Sequence, residues 1–289
     1  MPIMTSVNSQ VSDKDQAAPR AAGTPKEPSL LRQAAPAFGG GAVIGALAGL
    51  IGLGGAEFRL PLLLGLFKFH ALEAVILNKA MSLIVVATAL PFRAATVPLT
   101  AVAASWPIIL NLLTGSLLGA WLGAGWATRL SSRNLYRVIA AMLVLIAAAL
   151  LLGHGTHTAA ALLTGKAQIV AGIAAGFAIG IVAAVLGVAG GELLIPTLVL
   201  LFGADIKLAG SLSLAVSLPT MIVGFARYSG DSRFGVLAQN KAFVVVMATG
   251  SILGTFIGGL LLGLVPDYVL LPLLAVILVI SAWKVWRHE

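Results

Sequence analysis

The chain has 289 residues, of which 59% are hydrophobic and only 10% are charged, and its formal net charge is +8. Soluble domains are about 45–50% apolar and about 25% charged, so this composition excludes an ordinary water-soluble globular fold. The basic residues are spread over short loops, which argues against a nucleic-acid partner, and the absence of cysteine excludes disulfides and thiol catalysis.

The chain begins with a polar segment. Residues 1–36 are rich in Ala, Pro, Ser and Gln and carry both signs of charge, which predicts a disordered cytoplasmic tail. No short apolar region with a small-residue cleavage site follows a basic start, so we do not expect a cleaved signal peptide. From residue 37 onward, apolar runs of more than about 18 residues recur, each long enough to cross a bilayer as a helix. The sequence therefore predicts an all-α polytopic integral membrane protein.

The apolar runs fall into two similar groups, separated by a linker at 154–171. Each group opens with a stretch that is too long for one ordinary span and is interrupted by glycines, which predicts a broken helix pair. The broken stretches are 37–68, with glycines at 52–55, and 172–203, with glycines at 187–191. Three longer helices follow in each group, at about 72–92, 100–127 and 132–153, and again at about 207–226, 238–264 and 267–286. Within the second of these, the pattern Gly115-xxx-Gly119-xxx-Gly123 predicts close helix packing.

The two groups match each other at an offset of 135 residues. The pattern Gly-x-x-Gly-x-Glu-x-x-x-Pro occurs at 52–61 and again at 187–196, and the alignment continues without a gap over about a hundred positions. Two membrane repeats are therefore predicted, at 37–153 and 172–289.

The basic loops indicate how the repeats are oriented. If each repeat crosses the membrane an odd number of times, the tail, the 128–137 and 227–241 loops and the C-terminus share one side. The positive-inside rule places that side in the cytoplasm. We therefore expect inverted repeats in a bacterial inner membrane with both termini cytoplasmic. Whether the broken pairs re-enter one side or cross twice stays open at this point.

Four ionisable residues lie inside apolar runs, where burial at mid-membrane costs about 3 kcal/mol and such groups usually face a cavity or a partner. They are Glu57, Arg59, Lys79 and Glu192. Glu57 and Glu192 are equivalent at the offset and lie at a predicted helix start, where free N–H groups and the helix dipole stabilise a carboxylate. They either cap these helices or serve as proton-coupling groups at the repeat interface.

The glycine breaks are candidate anion sites. They expose backbone N–H groups at half-helix N-termini, as in secondary transporters that hold anions, although close packing is the alternative. Arg59 and Lys79 add positive charge in the first repeat only. The alternatives are, for Arg59, an ion pair with Glu57 or snorkelling to the interface and, for Lys79, a position near a helix end that reaches the headgroups. Small polar residues pair across the repeats and either complete the cavity or bond helix to helix. The candidate substrate-binding residues are Gly54, Gly55, Arg59, Asn78, Lys79, Gly190, Gly191 and Ser213.

With these segments, the chain resembles the sulfite exporter TauE/SafE family of membrane permeases. The likeness lies in residues 44–61, 179–196 and 209–213 and extends from about residue 37 to the end. The resemblance implies carriage of sulfur-containing anions such as sulfite, sulfonates and sulfoacetate, often outward from the bacterial cytoplasm. The first glycine-rich stretch departs from the family pattern at residues 56–59, Ala-Glu-Phe-Arg.

The function expected from the sequence is that of a secondary transporter moving a small anion by alternating access, with proton coupling; a passive anion channel is the alternative. An enzyme is not expected, because the apolar runs contain no histidine and no His-Glu-x-x-His motif. No nucleotide-binding Gly-x-x-x-x-Gly-Lys-Ser/Thr sequence is found, and no cofactor or metal is expected. The expected partners are the small anionic substrate and the lipid bilayer, and a homo-oligomer is compatible with the sequence.

Overall fold

The computed structural model of the chain describes residues 30–51, 55–94, 97–152 and 161–260, with short pieces between 276 and 287. The regular structure of these residues is helical. The helices are α1 (Leu30–Ile51), α2 (Ala56–Gly65), α3 (Ala71–Ala94), α4 (Leu99–Ala104), α5 (Trp106–Arg129), α6 (Ser132–Leu152), α7 (Gly165–Leu186), α8 (Gly191–Phe202), α9 (Ile206–Tyr228), α10 (Val236–Gln239) and α11 (Lys241–Leu260). A short 3-10 helix, Ser232–Gly235, precedes α10.

Several helices are long and apolar enough to cross a bilayer. Within the described ranges five qualify by length and composition, namely α3, α5, α7, α9 and α11. Each contains at least 18 apolar-rich residues, which at about 1.5 Å per residue cover most of the hydrocarbon layer. The chain is a multi-pass helical membrane protein, which confirms the class expected from its composition.

The helix boundaries follow the 135-residue offset. Four helices of the first half begin 135 positions before their counterparts in the second: α1 and α7, α2 and α8, α3 and α9, α5 and α11. Two of these starts differ from the expected repeat boundaries, because α1 begins at Leu30, inside the segment expected to form the tail, and α7 begins at Gly165, inside the expected linker.

Single long helices were expected at 100–127 and 238–264, but the structure breaks both near their starts. The chain leaves helical geometry at Ser105, between α4 and α5, and at Asn240, between α10 and α11. At the first break Pro107 lies in the first turn of α5, where a missing N–H costs no intrahelical bond. The proline was a signal for this helix start that the expected range of 100–127 did not take into account.

At each glycine break the chain turns back on itself, so that the two helices of the broken pair form a helical hairpin. Near the start of α7, the Gln168 side-chain amide donates to the carbonyl of Leu201 near the end of α8, at 2.8 Å. In the first repeat, a side chain added at Gly40 in α1 would meet Leu62 in α2. Since α2 and α8 run back along α1 and α7, each pair returns the chain to the side on which it began. In the first repeat the three longer helices α3, α5 and α6 then give an odd number of crossings. The third helix expected in the second repeat, at 267–286, lies outside the described residues apart from short pieces.

Helices α3 and α9, which are equivalent in the two repeats, run antiparallel where they meet. Lys79 of α3 lies against Gly224 of α9, whereas Val86, further along α3, clusters with Met221 and the earlier residue Leu218. Val86 and Met221 are themselves equivalent at the 135-residue offset, as expected for residues close to a pseudo-twofold axis. The arrangement agrees with inverted repeats.

The repeats are interlocked through close helix contacts that glycine permits. The three glycines of the 115–123 pattern all face the α7 backbone, so that a Cβ at Gly119 would overlap Phe177. A Cβ at Gly45 in α1 would overlap the backbone of Ser251 in α11. The opening helix of each repeat therefore packs against the other repeat.

This exchange defines two packing units that differ from the sequence repeats. We call α1, α2, α3 and α11 the first packing unit, and α5, α7, α8 and α9 the second packing unit. Each unit combines the broken pair and the next helix of one repeat with one long helix of the other.

Candidate functional site

The helix breaks are built on glycines with left-handed backbone geometry. Gly55, with φ of 62°, precedes α2, and its equivalent Gly190, with φ of 80°, precedes α8. A residue with a Cβ is strained in this region, whereas glycine adopts it freely. Both breaks therefore present the N-terminus of a short helix inside the fold, as the sequence indicated.

Arg59 occupies the first turns of α2 and is completely buried. Its two terminal nitrogens donate to Ser82 Oγ at 3.2 Å, Asn78 Oδ1 at 3.4 Å and Ser251 Oγ at 3.1 Å. These three acceptors are neutral, so they orient the guanidinium without cancelling its charge. Among the described residues the Arg59 Nε–H has no hydrogen-bond partner. Snorkelling to the headgroups, one of the alternatives for this residue, is wrong.

Glu57 lies in the first turn of α2 and is also buried. Its carboxylate acts electrostatically on Arg59, and its position at a helix N-terminus is one where the dipole stabilises negative charge. Both the capping interpretation and the ion-pair interpretation from the sequence are compatible with this placement.

Asn78 connects the two helix breaks. Its amide nitrogen donates to the carbonyl of Ala56, at the start of α2, and to that of Leu186, at the end of α7, each at 3.0 Å. Its amide oxygen accepts from Arg59. One buried side chain thus fixes the position of the guanidinium relative to the second packing unit.

Lys79 is completely buried in α3 and bonds to the end of α7. Its Nζ donates to the carbonyl of Ala183 at 2.9 Å and to that of Val188 at 3.4 Å. The C-terminal end of a helix carries partial negative charge, which an ammonium group stabilises. The alternative that Lys79 lies near a helix end and reaches the headgroups is wrong, because its side chain crosses to α7 instead.

Equivalent polar residues of the two repeats form different hydrogen bonds. Ser82 Oγ donates across to the carbonyl of Gly187 at 3.3 Å, whereas its equivalent Ser217 donates to Ala189 at 2.7 Å within its own repeat. Ser213, the counterpart of Asn78, donates to Gly210 in its own helix. The bridging network is therefore asymmetric, as the uneven distribution of Arg59 and Lys79 suggested.

The structure brings Glu57, Arg59, Asn78 and Lys79 together, but not every expected site residue can be placed. Gly54 and the Glu192 side chain lie outside the described residues. Gly191 begins α8.

Two contributors were not among the expected site residues. Ser251 binds Arg59, and the Tyr228 hydroxyl donates to the carbonyl of Ala184 in the last turn of α7. The signal for Ser251 was its match to Ser116 at the 135-residue offset; Tyr228, whose counterpart at that offset is Arg93, gave none.

A separate cavity of about 320 Å³ lies where α6, α7 and α8 meet. Its lining includes Leu145, Ile179, Leu193 and Pro196, with Thr197 as the one polar side chain among the lining residues described. The Thr197 hydroxyl donates to the carbonyl of Leu193. This apolar cavity offers no charge or free donor for an anion, so the network around Arg59 is the candidate site.

Inverted repeats that open with broken helix pairs recur among membrane transporters. Comparison with protein families matches residues 7–150 and 37–285 to the family described as Sulfite exporter TauE/SafE. The chain belongs to this membrane transporter family. The overlap of the two matches is what an internally repeated chain produces. No curated protein and no solved structure matches the chain.

Proposed function

We propose that the protein is a secondary transporter that carries a small anion across the bacterial inner membrane by alternating access. A sulfur-containing oxyanion or an organosulfonate is the proposed cargo, because the description of the family names sulfite. The single observation that carries the proposal is the buried guanidinium of Arg59, which donates to neutral side chains beside a helix N-terminus and within the electrostatic influence of Glu57.

The chemistry of Arg59 suits an oxyanion. A guanidinium presents planar donors that match the oxygens of such anions, and charged hydrogen bonds are strengthened where water is excluded. Its Nε–H remains available among the described residues, and the first N–H groups of α2 have no intrahelical acceptor. An anion beside this face would replace water as the acceptor of these N–H groups. It would gain charge-assisted hydrogen bonds, which are strengthened when the site closes and excludes water.

The packing units suggest what would move. The bonds of Asn78, Lys79 and Ser82 to the end of α7 cross from the first packing unit to the second. Movement of one unit against the other would break or shift these bonds and open the Arg59 face to one side. Because the units exchange a helix between repeats, the moving bodies are the packing units and not the sequence repeats.

Glu57 and Glu192 are the proposed proton-coupling groups. Glu57 acts on the charge of Arg59, so its protonation would leave the site more positive and favour anion binding. Release of that proton on the opposite side would weaken binding there. A transport cycle of this kind is driven by a pH gradient.

Uptake of labelled sulfite, sulfate and a small sulfonate into proteoliposomes tests the proposal. We expect saturable uptake of at least one anion, loss of that uptake in Arg59→Gln and partial retention in Arg59→Lys. The matched control is Arg129→Gln, because Arg129 is exposed at the end of α5. Equal uptake by Arg59→Gln and the wild type would refute the site.

Glu57→Gln tests proton coupling. This variant should keep saturable anion binding, but its uptake should no longer be stimulated by an imposed pH gradient. Uptake by the wild type that does not depend on the gradient would indicate a channel.

The proposed orientation places both termini in the cytoplasm. The absence of native cysteine makes single-cysteine labelling direct. Ser132 begins α6 and Thr164 lies just before α7, and both residues are exposed. A membrane-impermeant thiol reagent applied to the periplasmic face should label Thr164→Cys and not Ser132→Cys. The reverse pattern would invert the topology.

A further inference from the structure

The end of α7 is surrounded by hydrogen-bond donors from other helices. Helix C-termini leave their last carbonyls without intrahelical N–H partners, and at broken helices in transporters such carbonyls coordinate the coupling cation, for example Na⁺. Here the carbonyls of five residues accept side-chain donors, namely Ala183, Ala184, Leu186, Gly187 and Val188. Those of Ala183 and Ala184 also accept the backbone N–H groups of Val188 and Gly187, which cap the helix.

Among these donors only Lys79 can carry a positive charge. Its Nζ bonds to the first and last of the five carbonyls, so it bridges the last turn of α7 and the chain just beyond it. The position is roomy enough for the ammonium because Gly224 faces it: a Cβ added there would lie 3.4 Å from Nζ and 3.3 Å from Cε. The ammonium therefore occupies a carbonyl-lined place between the two packing units.

The equivalent position in the second repeat carries no cation. The counterpart of Lys79 at the 135-residue offset is Leu214, a partly buried residue in the apolar cluster of Val86 and Met221. A leucine contributes neither charge nor donor. The ammonium is thus a specific addition to the break at the end of α7 and not a feature of the repeat.

We propose that the Lys79 ammonium is a tethered cation that occupies, at the end of α7, the place a free Na⁺ would take between these carbonyls. The break then binds no dissolved coupling cation. This proposal deepens the proposed transport function and rests on it for its role in the cycle, but the occupancy of the carbonyl site can be measured without any transport.

Removal of the ammonium should create a Na⁺ site. In Lys79→Ala the carbonyls lose their cation, and the missing side chain leaves space for Na⁺. We expect the apparent Tm of the variant to be lower than that of the wild type in N-methylglucamine chloride. When NaCl replaces that salt at equal ionic strength, the apparent Tm of the variant should rise saturably by about 3 °C or more. Wild type and the exposed-lysine control Lys166→Ala should lack this difference. Lys79→Leu, which fills the space without charge, should be destabilised and gain nothing from Na⁺.

Equal responses of Lys79→Ala and wild type to Na⁺ would overturn the proposal. Lys79→Ser is the second variant if the alanine form does not fold, because its hydroxyl adds an oxygen ligand for Na⁺; failure of both to recover a folded state in Na⁺ or ammonium chloride would also overturn it. The thermal assay separates the two proposals. If Lys79→Ala loses anion uptake but its Tm does not respond to Na⁺, the result counts against the tethered cation alone. If the Tm of Lys79→Ala responds to Na⁺ but the wild type transports no anion, the result counts against the transport function alone.

Discussion

Replacement of Asn78 by alanine tests whether one amide joins the two helix breaks. The change removes three buried hydrogen bonds: two to backbone carbonyls at 3.0 Å and one from Arg59 at 3.4 Å. Hydrogen bonds between membrane helices average about 0.6 kcal/mol, below the roughly 1 kcal/mol found in soluble proteins. We therefore expect the variant to be destabilised by about 2 kcal/mol, and by more if the Arg59 charge is left poorly solvated.

The corresponding change in apparent Tm is about 3 °C for a protein of 289 residues. It should be measured by tryptophan fluorescence during thermal unfolding in detergent, with Asn134→Ala as the control, because Asn134 is exposed at the start of α6. If Asn78→Ala unfolds within about 1 °C of Asn134→Ala, the amide does not hold the two breaks together and the interface between the packing units must depend on other contacts.

Three further predictions concern packing, the end of α7 and a loop. Gly45→Leu should abolish folding or lower Tm strongly, because a side chain there overlaps the α11 backbone, whereas Gly65→Leu, with open space around it, should fold normally; similar yields of the two would contradict the packing. Tyr228→Phe should cost about 0.6 kcal/mol of stability by removing the buried hydrogen bond of its hydroxyl group, and an unchanged Tm would argue against this bond. Hydrogen bonds from Arg233 hold the pKa of Asp231 below its ordinary value of 3.8. The extra stability of the wild type over Asp231→Asn should therefore be present above pH 3.8 and be lost as the pH falls through the lowered pKa. A constant difference in Tm between the two proteins across that range would refute the ion pair.

Much of the fold follows from local properties of the sequence. The length and hydropathy of each run are enough to predict a spanning helix, since the cost of leaving backbone groups unpaired in lipid permits little else. The repeated Gly-x-x-Gly-x-Glu pattern located both breaks, because left-handed geometry at Gly55 and Gly190 selects glycine. The inversion followed from the parity of crossings and the positions of basic loops.

Part of the candidate site was also visible in the sequence. Glu57, Arg59 and Lys79 stood out because ionisable groups in apolar runs are costly, and that cost does not depend on the partner. The partners themselves were not visible: Arg59 binds Ser251, 192 positions away, and Lys79 binds carbonyls 104 and 109 positions away. Backbone carbonyls carry no residue signature, so no pattern could have identified them as acceptors.

The sequence by itself determined the class of protein, its duplication and the positions of its helix breaks, because these depend on length, hydropathy and the backbone preference of glycine. Only the tertiary structure decided that α1 pairs with α11 and α5 with α7, so that each packing unit is shared between the repeats. The physical reason is that glycine-rich helix faces resemble one another. Which face meets which is set by how closely two backbones can approach once all the helices are in place, as Gly45 and Gly119 show.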